Sequence, residues 1–206
     1  MSSAAERVAV ILRDRITAGE LTPGTRLIEE SLGAELGVSR NTLREAFRLL
    51  THERLLVYEL NRGVFVRTLS EQDVVELYRV RRMIELGALR DIREPVLGKV
   101  AEAVDAAEKA AEANRWQDVG TADIQFHRAL VELAGSARIE EFMALILAEL
   151  RLVFDVMKDP RRFHEPYINR NREILAALEN GDVARAEELL KAYLDDAERQ
   201  LLAAYG

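Results

Sequence analysis

The chain has no cysteine among its 206 residues, only four prolines, one tryptophan and three histidines. The missing thiols exclude disulfides, thiolate metal sites and cysteine nucleophiles, and nothing points to an oxidising compartment. Long apolar runs are missing too. The first one, Val8 to Leu12, sits between Arg7 and Arg13 and is too short for a secretory apolar core or a membrane span. A soluble, cytoplasmic protein with no membrane partner is expected. Low-complexity tracts, internal repeats, glycine-rich phosphate loops, nucleophile elbows and complete metal-ligand sets are also lacking, so an enzyme is not expected.

What is present is charge, unevenly spread. The formal net charge is −7, the wrong sign for a chain that must neutralise phosphates. Residues 1–70, however, carry ten arginines, no lysine and nine carboxylates. The acidic excess therefore lies downstream. Arginine is the side chain whose planar fork holds a phosphate or a guanine edge with two hydrogen bonds.

Apolar spacing at Val8, Ile11, Leu12 and Ile16 predicts a helix over 4–18, closed by Gly19. After the turn Thr22-Pro23-Gly24, a short second helix carries Ile28, Leu32 and Leu36 and stops at Gly37. Gly37-Val38-Ser39 leaves room only for a tight turn. Ser39 is a fitting N-cap, able to accept the N–H of Asn41 or Thr42, for a helix from Arg40 to about Glu53. The β-branched and aromatic runs Val57–Leu60 and Val64–Leu69, parted by Asn61-Arg62-Gly63, predict a hairpin with glycine supplying positive φ. From Ser70-Glu71-Gln72-Asp73, which reads as a capping box, the period is helical to the end. Breaks near Glu94-Pro95, Asn114-Arg115, Gly135-Ser136, Asp159-Pro160 and Asn180-Gly181-Asp182 divide it into about six helices. The fold class expected is mainly α: a winged helix-turn-helix domain with a two-stranded wing over 1–69, then an all-α bundle over 70–206.

In the helix after Ser39, Leu43, Ala46, Phe47 and Leu50 share one side, and Arg40, Asn41, Arg44 and Arg48 the other. Taken alone, such arginines form an ordinary solvated stripe paired with Glu45. The order of short helix, glycine turn, serine-capped arginine helix and hairpin tipped by Arg62 and Gly63 points instead to double-stranded DNA. Arg44 and Asn41 have the chemistry to read guanine and adenine edges. Arg40, in the first turn, suits a phosphate or a base, and Arg48 a phosphate.

The runs Pro23-Gly24-Thr25-Arg26-Leu27, Leu36 to Ala46 and Gly63-Val64-Phe65-Val66 resemble the GntR family of regulators. The resemblance implies a homodimer on operator DNA, with recognition-helix arginines in the major groove and the wing tip in the minor groove. Matched residue by residue, these contacts fall on Arg40, Asn41, Thr42, Arg44 and Gly63, with Asn61 or Arg62 beside it. One departure is Glu30, where many members carry an arginine.

Leu77 to Glu85 and Asp123-Ile124-Gln125-Phe126-His127 resemble the FadR-type, or FCD, branch. Asp123 and His127 are four apart and share a helix face, so both can meet one cation. In metal-binding members of the branch two further histidines come from the last two helices; the matching positions here are Asn171 and Tyr193. His164 lies two helical turns from Asn171, about 10 Å away on one helix. Three readings stand: a divalent zinc or nickel ion at Asp123 and His127, a hydrogen-bonded pair orienting a buried imidazole, and a metal-free polar pocket. In the last, Arg81 supplies charge to a small carboxylate effector while His127, Asn171 and Tyr193 supply donors; Arg81 as a surface partner of Glu85 is its alternative. The function expected is an effector-controlled transcription regulator, a repressor, with a ligand-independent dimeric DNA-binding protein and a metal-dependent bundle enzyme as rivals.

Overall fold

A computed structural model of the chain describes residues 3–93, 96–154, 157 and 159–205. Two compact units divide at Leu69 and Ser70.

The first unit begins with α1 (Ala4–Thr17), whose Ser3 and Glu6 form a reciprocal capping box. Its buried stripe, Ala5, Val8, Ala9, Leu12 and Ile16, follows the helical period. After β1 (Arg26–Leu27) comes α2 (Glu29–Leu36), which ends because Gly37 takes the left-handed conformation at φ 64°. α3 (Arg40–His52) starts at Ser39, whose hydroxyl accepts the Thr42 N–H at 3.1 Å. Its inner face, Leu43, Ala46, Phe47 and Leu50, is fully buried. β2 (Leu56–Glu59) and β3 (Gly63–Val66) form the hairpin, in register Val57 with Phe65 and Tyr58 with Val64. Asn61 and Gly63 both supply positive φ in it, at 59° and 108°.

The wing differs from expectation in one respect. Its sheet has three antiparallel strands in the order β1-β3-β2, with Arg26 opposite Phe65 and Leu27 opposite Val64. A two-residue strand is too short to show a period, so the pattern left it in the turn region. The hairpin strands also start one residue earlier than read, and Leu60 is exposed in the turn.

The second unit is a bundle of α4 (Glu71–Arg90), α5 (Gly98–Glu112), α6 (Trp116–Glu132), α7 (Ala137–Phe154), α8 (Pro160–Glu179) and α9 (Val183–Leu202). The Ser70 capping box is present, completed by Asp73. Asp159 caps α8 with Pro160 in its first turn, where the missing N–H costs nothing. The break read at Glu94-Pro95 lies outside the described residues. Among the described residues, no helix is long and apolar enough to cross a membrane.

Two glycines in helical context should respond oppositely to a methyl group. Gly37 has open space around its Cβ position but a left-handed backbone, so Gly37→Ala should destabilise by about 1 kcal/mol. Gly87 lies inside α4 with nothing within 4 Å of its Cβ position, so Gly87→Ala should stabilise by about 0.5–1 kcal/mol. Urea midpoints of the two variants check the pair; a loss at both would show that Gly87 has a packing role.

Candidate nucleic-acid interface and buried polar site

In the first unit, the outer face of α3 presents Arg40, Asn41, Arg44 and Arg48 to solvent. Arg40, Arg44 and Arg48 border a groove of about 990 Å³ whose other walls include Arg26, Glu29, Glu30, Tyr58, Asn61 and Gly63. Thr42 is half-buried and its hydroxyl shares a hydrogen bond with Ser39 at 2.9 Å, so it helps build the helix start. Gly63 lies beside the Arg26 guanidinium; a Cβ there would be 3.5 Å from Nε.

Three arginines of this face and the hairpin turn are paired with carboxylates. Arg44 Nε donates to both oxygens of Glu29, at 2.9 and 3.0 Å. Arg48 pairs with Glu45 at 3.1 Å, and Arg62 pairs with Glu59 while its guanidinium lies 5.2 Å from the Phe65 ring. Glu29 escaped the sequence reading, which weighed Glu45 and Glu30. Its partner is fifteen residues away on another helix, and only the helix-turn-helix geometry brings the two together.

In the second unit, α4, α6, α8 and α9 bury a polar cluster. Arg81 and Glu85, one turn apart on α4, form a fully buried ion pair at 2.7 Å. The other Glu85 oxygen meets His127 Nδ1 at 2.6 Å. Burial alone would push the Glu85 carboxyl up, but Arg81 and His127 outweigh it and hold it below its ordinary value. An ionised carboxylate can only accept, so Nδ1 donates to Glu85, with Nε2 on the far side of the ring. Among the described residues, His127 Nε2 has no hydrogen-bond partner, and it lies 3.9 Å from Asp123 Oδ1.

Asp123 is satisfied from the other side. Its Oδ1 accepts from Asn171 Nδ2 at 2.9 Å and from the Tyr193 hydroxyl at 2.8 Å. Burial acts to raise the Asp123 carboxyl, yet His127, His164 and these two hydrogen bonds hold it below the usual range. Burial and then Asp123 push the Tyr193 phenol well up, keeping it a donor.

The structure thus brings Arg81, Asp123, His127, Asn171 and Tyr193 together, and it corrects one alternative. Arg81 is not a surface partner of Glu85; both side chains are buried, and the pairing already neutralises the guanidinium. An i,i+4 pair has the same spacing on either face of a helix, so the sequence could not distinguish them. His164 also belongs beside the cluster, although its distance from Asn171 had set it apart. It shares the buried face of α8 with Tyr167 and Asn171, three and seven residues on, a spacing visible in the sequence. Gly120 makes room for its ring: a Cβ there would be 2.8 Å from His164 Nε2.

Comparison with known proteins matches residues 4–66 to the family described as bacterial regulatory proteins, gntR family, and residues 76–196 to the FCD domain. The chain belongs to the GntR family, in its FCD branch. A solved structure described as a transcriptional regulator GntR from Rhodococcus sp. RHA1 is 50% identical, with a TM-score of 0.94 and full coverage of both chains. A protein named as a D-xylose utilization operon transcriptional repressor, from Paenarthrobacter nicotinovorans, is 30% identical over 92% of this chain and 84% of its own length. The HTH-type transcriptional repressor RspR of Escherichia coli K12 is 25% identical over 93% and 86%. This GntR protein is a transcription regulator and not an enzyme. GntR regulators bind operator DNA and act as dimers with effector ligands.

The metal that the FCD branch implies does not fit the residues present. At the two positions where histidines are expected, Asn171 and Tyr193 turn donors toward Asp123 instead of lone pairs toward a cation. Among the described residues, no group of three or more His, Cys, Asp and Glu side chains is placed to hold an ion.

Burial lowers the His164 imidazole to about 4, against a weaker opposing pull from Asp123. An imidazole kept neutral in the fold and protonated when unfolded contributes stability above its ordinary value near 6.5, lost as pH falls toward about 4. The loss at pH 4 should be on the order of 3 kcal/mol. Urea unfolding at pH 7 and pH 4.5 should show this decline in the native chain and a smaller one in His164→Phe; equal declines would refute it.

Proposed function

We propose that the chain is a cytoplasmic, homodimeric repressor whose N-terminal unit (1–69) grips operator DNA and whose bundle (70–206) senses a small hydroxylated carboxylate. The observation that carries the DNA reading is the serine-capped α3, with Arg40, Asn41, Arg44 and Arg48 all exposed on one side above a buried opposite face. An α-helix of this kind enters the major groove, where Arg44 is suited to a guanine edge and Asn41 to adenine. Thr42 lies at the helix start, where backbone N–H groups favour a phosphate. Arg40 and Arg48 flank the reading pair as phosphate contacts. Arg62 and Gly63 occupy the wing tip; no side chain at Gly63 obstructs approach to the minor groove. A two-fold dimer calls for a palindromic operator.

The effector reading rests on what the buried cluster leaves unsatisfied. Among the described residues, Arg81 Nη2, His127 Nε2 and Asn171 Oδ1 have no hydrogen-bond partner; the guanidinium nitrogen is a donor and the amide oxygen an acceptor. Unpaired buried groups of both kinds are costly, and a ligand bearing a carboxylate and hydroxyls completes both. Since Glu85 already neutralises Arg81, hydrogen bonds matter more here than bare positive charge. Asp123, Asn171 and Tyr193 are the groups whose mutual bonds such a ligand rearranges.

Two measurements test the reading. With an operator selected from random DNA, Arg44→Ala should weaken operator binding by about 1–3 kcal/mol and relax the preference at one base pair, whereas Arg48→Ala should weaken operator and random duplexes alike. Undiminished operator selectivity in Arg44→Ala would remove it from the base contacts. For the effector, a panel of hydroxy acids and their deoxy analogues should raise the melting temperature and change operator affinity in the native chain. Tyr193→Phe should fold normally and lose most of that response; a panel without effect on either chain would favour the ligand-independent dimer.

A further inference from the structure

Arg44 is the candidate base-reading residue whose guanidinium is gripped at Nε. Glu29 takes that Nε–H with both carboxylate oxygens, at 2.9 and 3.0 Å. Among the described residues, no other hydrogen bond of Arg44 is found, so its Nη1 and Nη2 groups are not engaged. The Arg44 side chain is 59% exposed and that of Glu29 28%, so the pair sits at the surface, where an ion pair contributes little to stability. A carboxylate on a face that meets phosphates also works against affinity. A first-turn carboxylate suits the α2 dipole, but that does not account for its two-oxygen grip on Arg44.

Orientation does. A guanidinium can present a guanine with its two Nη groups or with Nε and one Nη, and an unrestrained arginine also swings to a nearby phosphate. With Nε taken, only the Nη1/Nη2 end remains for the O6 and N7 acceptors. Glu29 is the first residue of α2 and Arg44 lies on α3, so the restraint comes from a different rigid element than the one it restrains. Fixing a side chain before contact lowers the entropy lost on binding and penalises wrong geometries.

We propose that Glu29 is a positioning residue that sets the base preference of the protein through Arg44. The proposal rests on Arg44 being a base contact.

The test compares the native chain, Glu29→Ala, Glu29→Gln, Arg44→Ala and the double variant Glu29→Ala/Arg44→Ala. Fluorescence anisotropy at fixed salt measures binding to the selected operator, to operators changed at single base pairs, and to random duplex. Glu29→Ala should bind random duplex as well as or better than the native chain, and its discrimination at the pair read by Arg44 should fall about tenfold. Glu29→Gln keeps a neutral acceptor for Nε and should retain part of it. In the Arg44→Ala background, removing Glu29 should change discrimination no further. Unchanged discrimination in Glu29→Ala overturns the proposal, as does tighter operator binding with discrimination intact, which would make Glu29 a mask over Arg44. Full discrimination in Arg44→Ala overturns both the base contact and this inference, a result distinct from failure of Glu29→Ala alone. Should Glu29→Ala melt below the assay temperature, the same outcomes are read from Glu29→Gln.

Discussion

The bundle depends on one buried carboxylate. Glu85 takes the charge of Arg81 with one oxygen and the Nδ1 proton of His127 with the other. Removing one partner of such a pair leaves an uncompensated charge in the core, which costs about 3–5 kcal/mol. The consequences run outward from that point. Glu85 holds His127 through Nδ1, the other ring nitrogen stays 3.9 Å from Asp123, and Asp123 finds its hydrogen bonds elsewhere. Asn171 and Tyr193 supply them. A histidine at either position could donate to Asp123 through one ring nitrogen and offer the other to a cation. The amide and the phenol are the neutral solution to the same electrostatic problem.

The DNA-facing unit solves a different problem with the same device. A chain of net charge −7 cannot rely on its overall field to find DNA, and three arginines of the reading face and wing carry a carboxylate neighbour. These pairs lower the positive potential that would otherwise hold any duplex. Weak general attraction suits a protein whose operator competes with a vast excess of non-specific sites, because the useful quantity is the ratio of affinities. Paired arginines that must be met by a correctly placed acceptor favour that ratio over strength.

What could be read from the sequence follows from the range of each interaction. Helix starts at Ser39 and Ser70 were legible because a cap is a local bond, made within three residues, whereas Asp159-Pro160 was legible only as a break. The end of α2 was legible because only glycine adopts the left-handed turn at low cost. The exposed arginine side of α3 followed from the helical period. Contacts across helices left no such trace. Glu29 has no sequence relation to Arg44, and the burial of Arg81 with Glu85 is invisible in a spacing common to every solvated helix. Asn171 and Tyr193 stood out through family resemblance alone, since neither is unusual for a helix interior. β1 had too few residues to show any pattern.

The effect required of an effector on operator binding is small in energy. A tenfold to hundredfold change in operator affinity corresponds to about 1.4–2.7 kcal/mol. A hydrogen bond to a charged group contributes about 1.5–3 kcal/mol, so the gain or loss of one bond at Asp123 between two states is sufficient. The cluster offers two such bonds on a single oxygen, from helices α8 and α9. A ligand hydroxyl that takes over one of them frees an amide or a phenol that cannot remain unpaired in the core. The freed group must follow the ligand or find a new acceptor, and either response displaces the helix that carries it. Close packing around Tyr193, whose ring lies 4.9 Å from His127 and 4.6 Å from Tyr167, resists small adjustments of that side chain. In the proposed effector reading, a shift of α9 is then a cheaper response than a rearrangement of the Tyr193 ring within its packing.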